Sequence, residues 1–167
     1  MTDSLTFHLC ETDLGWVGLV LSSHGLRATT LPRDTRDEAL LEVMELGATV
    51  PARDADLADL PERICALASG RYDNLAVHVD WNLEPSFRRA VLEETQRIPS
   101  GQTRTYGWLA ERVGCPRAAR AVGRVMATNP LPLVVPCHRV VGSNGSLTGY
   151  GGGLRMKETL LRAEGAR

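Results

Sequence analysis

The chain has 167 residues, 43% apolar and 23% charged, with a net charge of −1, the balance of a globular protein of one ordinary or two small domains. No stretch approaches the about 20 apolar residues that cross a bilayer, and the opening MTDSLTFHLCETD lacks the basic and apolar blocks of a secretory signal. Cys10, Cys65, Cys115 and Cys137 form no C-x-x-C pair, so we expect a cytoplasmic protein with reduced thiols and no membrane contact.

Residues 5–12, 15–22 and 25–32 alternate apolar and polar side chains between turn signals and predict an antiparallel meander. Thr35 and Glu38 make a capping box for a helix that Gly47 ends. PERICALASG predicts a short helix with Pro61 near its start, and NLAVHVDW (74–81) predicts a returning strand. His8 and Cys10 could share one strand face, but no second ligand pair accompanies them, so no metal is expected. EPSFRRAVLEETQRIPSG predicts a helix with Phe87, Val91, Leu92 and Ile98 on its apolar face. The fold class expected is α+β. Residues 1–83 would form a small antiparallel sheet with helices, and residues 84–167 a mainly helical domain.

Charge divides near the same place. Residues 1–96 carry 8 Arg against 17 carboxylates, whereas residues 97–167 carry 10 Arg and Lys157 against Glu111, Glu158 and Glu164. Either the basic half meets a polyanion, or two halves of opposite charge dock together. Within the basic half, Thr105 caps a helix to Val113, Gly114-Cys115-Pro116 turns, and a second helix runs from Arg117 to about Met126. That is a helix-turn-helix pattern. The second helix sets Arg117, Arg120 and Arg124 beside Ala118, Ala119, Ala121 and Gly123. Arginines suit phosphates and small residues admit close approach to a groove. The same small residues would equally admit a packed helix, with the arginines solvated.

The segment VVPCHRVVG (134–142) raises a geometric question. Neighbours in an extended segment point to opposite sides, so Cys137 and His138 cannot share a strand face. Cys137 is either an inert core thiol or is presented by a sharp turn. GSNGS (142–146) predicts a turn, and TGYGGG (148–153) a loop opening onto a final helix. The loop spacing fits neither a Walker loop nor a dinucleotide fingerprint.

PCHRV (136–140), with RAVG (120–123) and NP (129–130) before it and GYGGG (149–153) after it, resembles the O6-alkylguanine-DNA alkyltransferases, also called methylated-DNA–protein-cysteine methyltransferases. The resemblance is strongest over 97–165 and weaker in the N-terminal half, where it implies an RNase H-like domain. It implies single-turnover, irreversible transfer of an alkyl group from O6 of guanine to Cys137, without a cofactor. It makes His138 the base acting through a water, Glu164 its orienting partner, Asn129 the brace of the turn, and Tyr106 the group that pushes on a phosphate and protonates the leaving base. It places the second helix in the minor groove of double-stranded DNA, where Arg120 fills the gap left by a flipped guanine. Thr105, Ala119, Ala121, Gly123, Arg117 and Arg124 complete the DNA-binding set. Tyr150, Gly151, Gly152, Pro132 and Val140 form the base pocket, and Pro132 and Gly152 suggest room for a flat adduct such as benzyl. A monomer that clusters on DNA is expected.

Val91, Ser100, Gln102, Arg124 and Val125 depart from the family's commoner residues, which bears on DNA affinity and efficiency rather than on reaction class. A non-reactive damaged-base binder would lack Cys137. A Cys-His hydrolase would need a separated base and an oxyanion hole. A helix-turn-helix regulator would need a dimerisation helix, and none is evident.

Overall fold

The computed structural model describes residues 4–71, 77–82 and 84–167. The chain divides into two compact units. The first holds residues up to Asn82 together with Pro130–Val134, and the second holds the residues from Leu83 to Asn129 and Val135–Arg167.

The first unit is built on the expected meander: β1 (Thr6–Thr12), β2 (Gly15–Ser22) and β3 (Gly25–Thr29). Its register pairs Phe7 with Val20 and Cys10 with Val17. Period-2 alternation then sends Phe7, Leu9 and Val20 to one face, where they pack with Val43 of α1 (Arg36–Glu45). Gly18 makes that approach possible, since a Cβ there would lie 2.3 Å from Val43 Cγ1. The capping box of α1 forms as expected, with Thr35 and Glu38 each accepting from the other's backbone N–H.

Two elements of this unit escape sequence reading. β4 (Val50–Pro51) adds a parallel edge strand beside β1, giving the order β3-β2-β1-β4, and α2 (Asp54–Leu57) is a single turn before α3 (Leu60–Ala68). The expected strand over 74–81 lies partly outside the described residues. Of the rest, Val79 makes one isolated parallel bridge to Leu26. Pro130–Val134 joins this unit through Thr29, whose N–H donates to Pro130 O at 2.9 Å and whose Oγ1 donates to Pro132 O at 2.7 Å.

The second unit consists of α4 (Ser86–Gln96), α5 (Tyr106–Arg112), α6 (Ala119–Ala127) and α7 (Leu154–Ala163), with a two-stranded parallel sheet of β5 (Arg104–Thr105) and β6 (Val140–Val141). Its core includes Val91, Leu92, Leu109, Val122 and Leu161, all fully buried. Thr105 caps α5 by accepting from Trp108 N–H at 3.1 Å. The second helix of the pair begins two residues later than the sequence suggests. Residues 115–118 close a turn through Ala118 N–H to Cys115 O, and the first helical bond into α6 runs from Val122 N–H to Ala118 O. Arg117 therefore sits on the turn. α6 buries Val122, Val125 and Met126, so Val125 belongs to the core and Arg124 faces solvent. Among the described residues no helix is long and apolar enough to cross a membrane.

Candidate active site

Pro136 leads into a 3₁₀ turn over Cys137–Arg139. The Cys137 N–H donates to Val135 O at 2.7 Å and the Arg139 N–H to Pro136 O at 2.9 Å. The turn answers the geometric question posed by the sequence, because successive residues no longer alternate across a strand. Asn129 Nδ2 donates to the same Val135 carbonyl at 3.0 Å and so fixes the entry to the turn.

Cys137 is 6% exposed and His138 is 2% exposed. Burial raises the thiol's pKa, opposed by a hydrogen bond from Asn129 and by the charge of Lys157. Cys137 is thus a thiol at rest, and a protonated thiol is a poor nucleophile without a base. His138 follows it in the same turn. Burial lowers its pKa, the Glu164 hydrogen bond and charge work against this, and Arg139 and Lys157 add to the lowering. The imidazole is therefore neutral near pH 7.

Nε2 of His138 lies 2.8 Å from Glu164 Oε1. Burial alone would raise the Glu164 pKa, but hydrogen bonds and charge from His138 and Arg139 bring it down to about 2. An ionised carboxylate only accepts, so Nε2 carries the proton and Nδ1 keeps its lone pair. Nδ1 of His138 and Oη of Tyr150 are buried without a hydrogen-bond partner among the described residues. Arg139 holds the carboxylate with a two-pronged fork, Nε to Oε2 at 3.0 Å and Nη2 to Oε1 at 2.7 Å, while its Nη1 donates to Ile98 O. Lys157 Nζ donates to the carbonyls of Val140 and Thr148.

The same unit contains a cavity of about 780 Å³. Ala119, Arg120, Gly123 and Ala127 of α6 line one part, Thr105 and Tyr106 another, and the loop residues Tyr150 and Gly151 a third. Tyr106 Oη and Thr148 Oγ1 are 2.8 Å apart, joining the start of α5 to that loop. The cavity thus gathers seven of the residues singled out in the sequence.

Others lie elsewhere. Gly152 sits against Met156, where a Cβ would meet Sδ at 2.5 Å. Val140 is fully buried in β6, and Pro132 belongs to the first unit. None of these three lines the cavity, nor do Cys137, His138, Asn129, Glu164, Ala121, Arg117 or Arg124. Arg117 and Arg124 are exposed, and Ala121 is half-buried. Sequence reading missed Arg139 as the clamp on Glu164, and it missed Lys157. The signal for Lys157 was present: it shares the buried stripe of α7 with Leu160 and Leu161, an unusual place for an amine. Among the described residues no cluster of three His, Cys, Asp or Glu side chains could hold a metal.

A helix-turn-helix and a buried cysteine on a 3₁₀ turn share one unit, as the resemblance to the DNA alkyltransferases implied. Residues 86–166 match the family described as 6-O-methylguanine DNA methyltransferase, DNA binding domain. The methylated-DNA–protein-cysteine methyltransferase of Mycobacterium leprae (strain TN) is 39% identical over 146 residues, 87% of this chain and 85% of that protein. The protein of the same name from Mycolicibacterium paratuberculosis is 48% identical over 103 residues, and the match spans 62% of its length and 62% of this chain. A crystal structure of Mycobacterium tuberculosis OGT in complex with DNA aligns with a TM-score of 0.78 at 30% identity, covering 96% of this chain and 93% of that one. The chain belongs to the methylated-DNA–protein-cysteine methyltransferase family.

Proposed function

We propose that the protein repairs double-stranded DNA by moving an alkyl group from O6 of guanine to Cys137, once per molecule. The observation that carries this reading is the His138–Glu164 pair at 2.8 Å, with the Nδ1 lone pair unengaged in the turn that bears Cys137. His138 Nδ1 takes the thiol proton through a bridging water, and the charge that develops on the imidazole is balanced by Glu164. The sulfur attacks the alkyl carbon, the carbon–O6 bond breaks, and its electron pair stays on the guanine, which takes a proton from Tyr106. The product is a thioether, and a second thiol has no disulfide to exchange with. All electrons come from sulfur, so the step needs no cofactor.

A guanine within a duplex cannot reach a cysteine that is 6% exposed, so the base must leave the stack. The cavity between α6 and the Tyr150 loop is our proposed receptor, with its small residues and Arg120 suited to the minor groove. The protein acts as a monomer on DNA, and copies can cluster there.

The test is mass spectrometry after incubation with a duplex containing O6-methylguanine. One methyl on Cys137 and none on Cys137→Ser is the expected result. A second methyl per molecule, or turnover, would refute single use.

A further inference from the structure

We propose that Arg88 is a positioning residue for the recognition helix, acting at the end of α6 remote from Arg120. This rests on the alkyl-transfer reading and adds to it a residue that fixes the last turn of the recognition helix without acting on the acceptor turn.

Arg88 lies in the first turn of α4, where Nε donates to Glu84 one turn earlier in the chain. With that side of the guanidinium held, its two terminal nitrogens reach a single residue. Nη1 donates to Thr128 Oγ1 at 2.6 Å, and Nη2 donates to the Thr128 carbonyl. Thr128 is the C-cap of α6. Its hydroxyl also donates to Arg124 O at 2.9 Å, so both the proton and a lone pair of that oxygen are used. A cation at this end of a helix also meets the negative end of the helix dipole.

Thr128 stands between two functional groups. The residue before it, Ala127, lines the cavity. The residue after it, Asn129, donates to Val135 O, the carbonyl that also receives the Cys137 N–H. Gripping Thr128 by both side chain and main chain therefore sets the last turn of α6, which bears the cavity-lining Ala127, while Asn129 holds the acceptor turn. Arg88 touches neither the cavity nor Cys137. Its guanidinium, unlike a lysine amine, offers the flat fork that two oxygens of one residue require.

The full-length wild type, Arg88→Ala, Arg88→Lys and Thr128→Val are compared in single turnover. The substrates are a saturating duplex carrying one O6-methylguanine and, separately, free O6-benzylguanine. Amide hydrogen exchange is followed in α6 and α7. Loss of hydrogen bonds from a charged donor predicts a maximal duplex rate about tenfold lower in Arg88→Ala. Arg88→Lys should recover little of it, and Thr128→Val should fall part of the way. Reaction with the free base should be nearly unchanged, because Asn129 still holds the turn. Exchange should quicken at Thr128 and Asn129 and not in α7. Equal slowing on both substrates, or unaltered exchange at the end of α6, overturns the proposal. A wild type that never labels Cys137 refutes alkyl transfer instead, and the exchange measurement then still decides whether Arg88 is a clamp.

Discussion

Glu164 Oε1 lies 2.8 Å from His138 Nε2, and both side chains are 2% exposed. At this depth a carboxylate and an imidazole are no longer independent groups. The anion dictates which ring nitrogen bears the proton and makes a positive charge on the ring tolerable while it lasts.

Replacing Glu164 with Gln keeps a similar shape and removes the charge. Arg139, whose side chain is 3% exposed, would then be buried without its anion. That loss should cost about 3–5 kcal/mol in a denaturant titration. Transfer to Cys137 should slow by about 100-fold in the folded fraction, since the base loses its counter-charge. A folded variant that transfers at the wild-type rate would remove Glu164 from the relay.

Acid should weaken the protein in two stages of the same sign. The unfolded state takes a proton on His138 below about 6.5, while burial keeps the folded imidazole neutral. That contribution is complete above 6.5 and is lost as pH falls toward the lowered folded value. Glu164 titrates near 4.5 unfolded and at about 2 folded. Its contribution is complete above 4.5 and disappears as pH falls toward 2. Denaturant midpoints should therefore decline from pH 7 to pH 4. The transfer rate should keep its acid limb below pH 6.5, and a limb above that value would contradict a neutral His138.

Arg120 is exposed and lines the cavity. Arg120→Ala should slow transfer from duplex DNA and leave reaction with free O6-benzylguanine nearly unchanged, since a free base needs no place held in a stack. Equal slowing of both would mean that Arg120 supports the fold of the site.

Arg124 is exposed and lies off the cavity, which suits a phosphate contact. Arg124→Ala should weaken binding to damaged and undamaged duplexes alike. It should also flatten the plot of log affinity against log salt by roughly one unit. An unchanged slope would place Arg124 away from the phosphates.

Gly123 separates packing from access. A Cβ at this position would sit 4.0 Å from Tyr106 Cδ1, an ordinary contact. Gly123→Ala should fold and gain up to about 1 kcal/mol from helix propensity. If α6 enters a groove, the added methyl should nonetheless weaken duplex binding. Gain in stability together with unaltered binding would point to a different DNA face.

Long periodic segments and caps were legible in the sequence. The meander, the Thr35–Glu38 box and the Thr105 cap all rest on side chains close to one another in the chain. β4, β5 and β6 were not, because a two-residue strand has no period to read. β5 and β6 also pair Arg104 with Val140 and Thr105 with Val141, across a gap that local patterns do not span. The start of α6 was displaced because Pro116 and the turn bond from Ala118 outweighed the helical propensity of Arg117 and Ala118. Cys137, His138 and Glu164 were found through motif resemblance. Arg139 was passed over because its role depends on where α7 returns, which the residues around PCHRV do not encode.

Lys157 is the chain's single lysine, and it is wholly enclosed, with its amine spent on two carbonyls. The folded molecule thus offers no side-chain amine to solvent. A reagent that acylates amines will reach Lys157 only when α7 and the neighbouring strand part. That slow acylation becomes a clock for the opening, and it marks one defined place beside Cys137 without any residue having been changed.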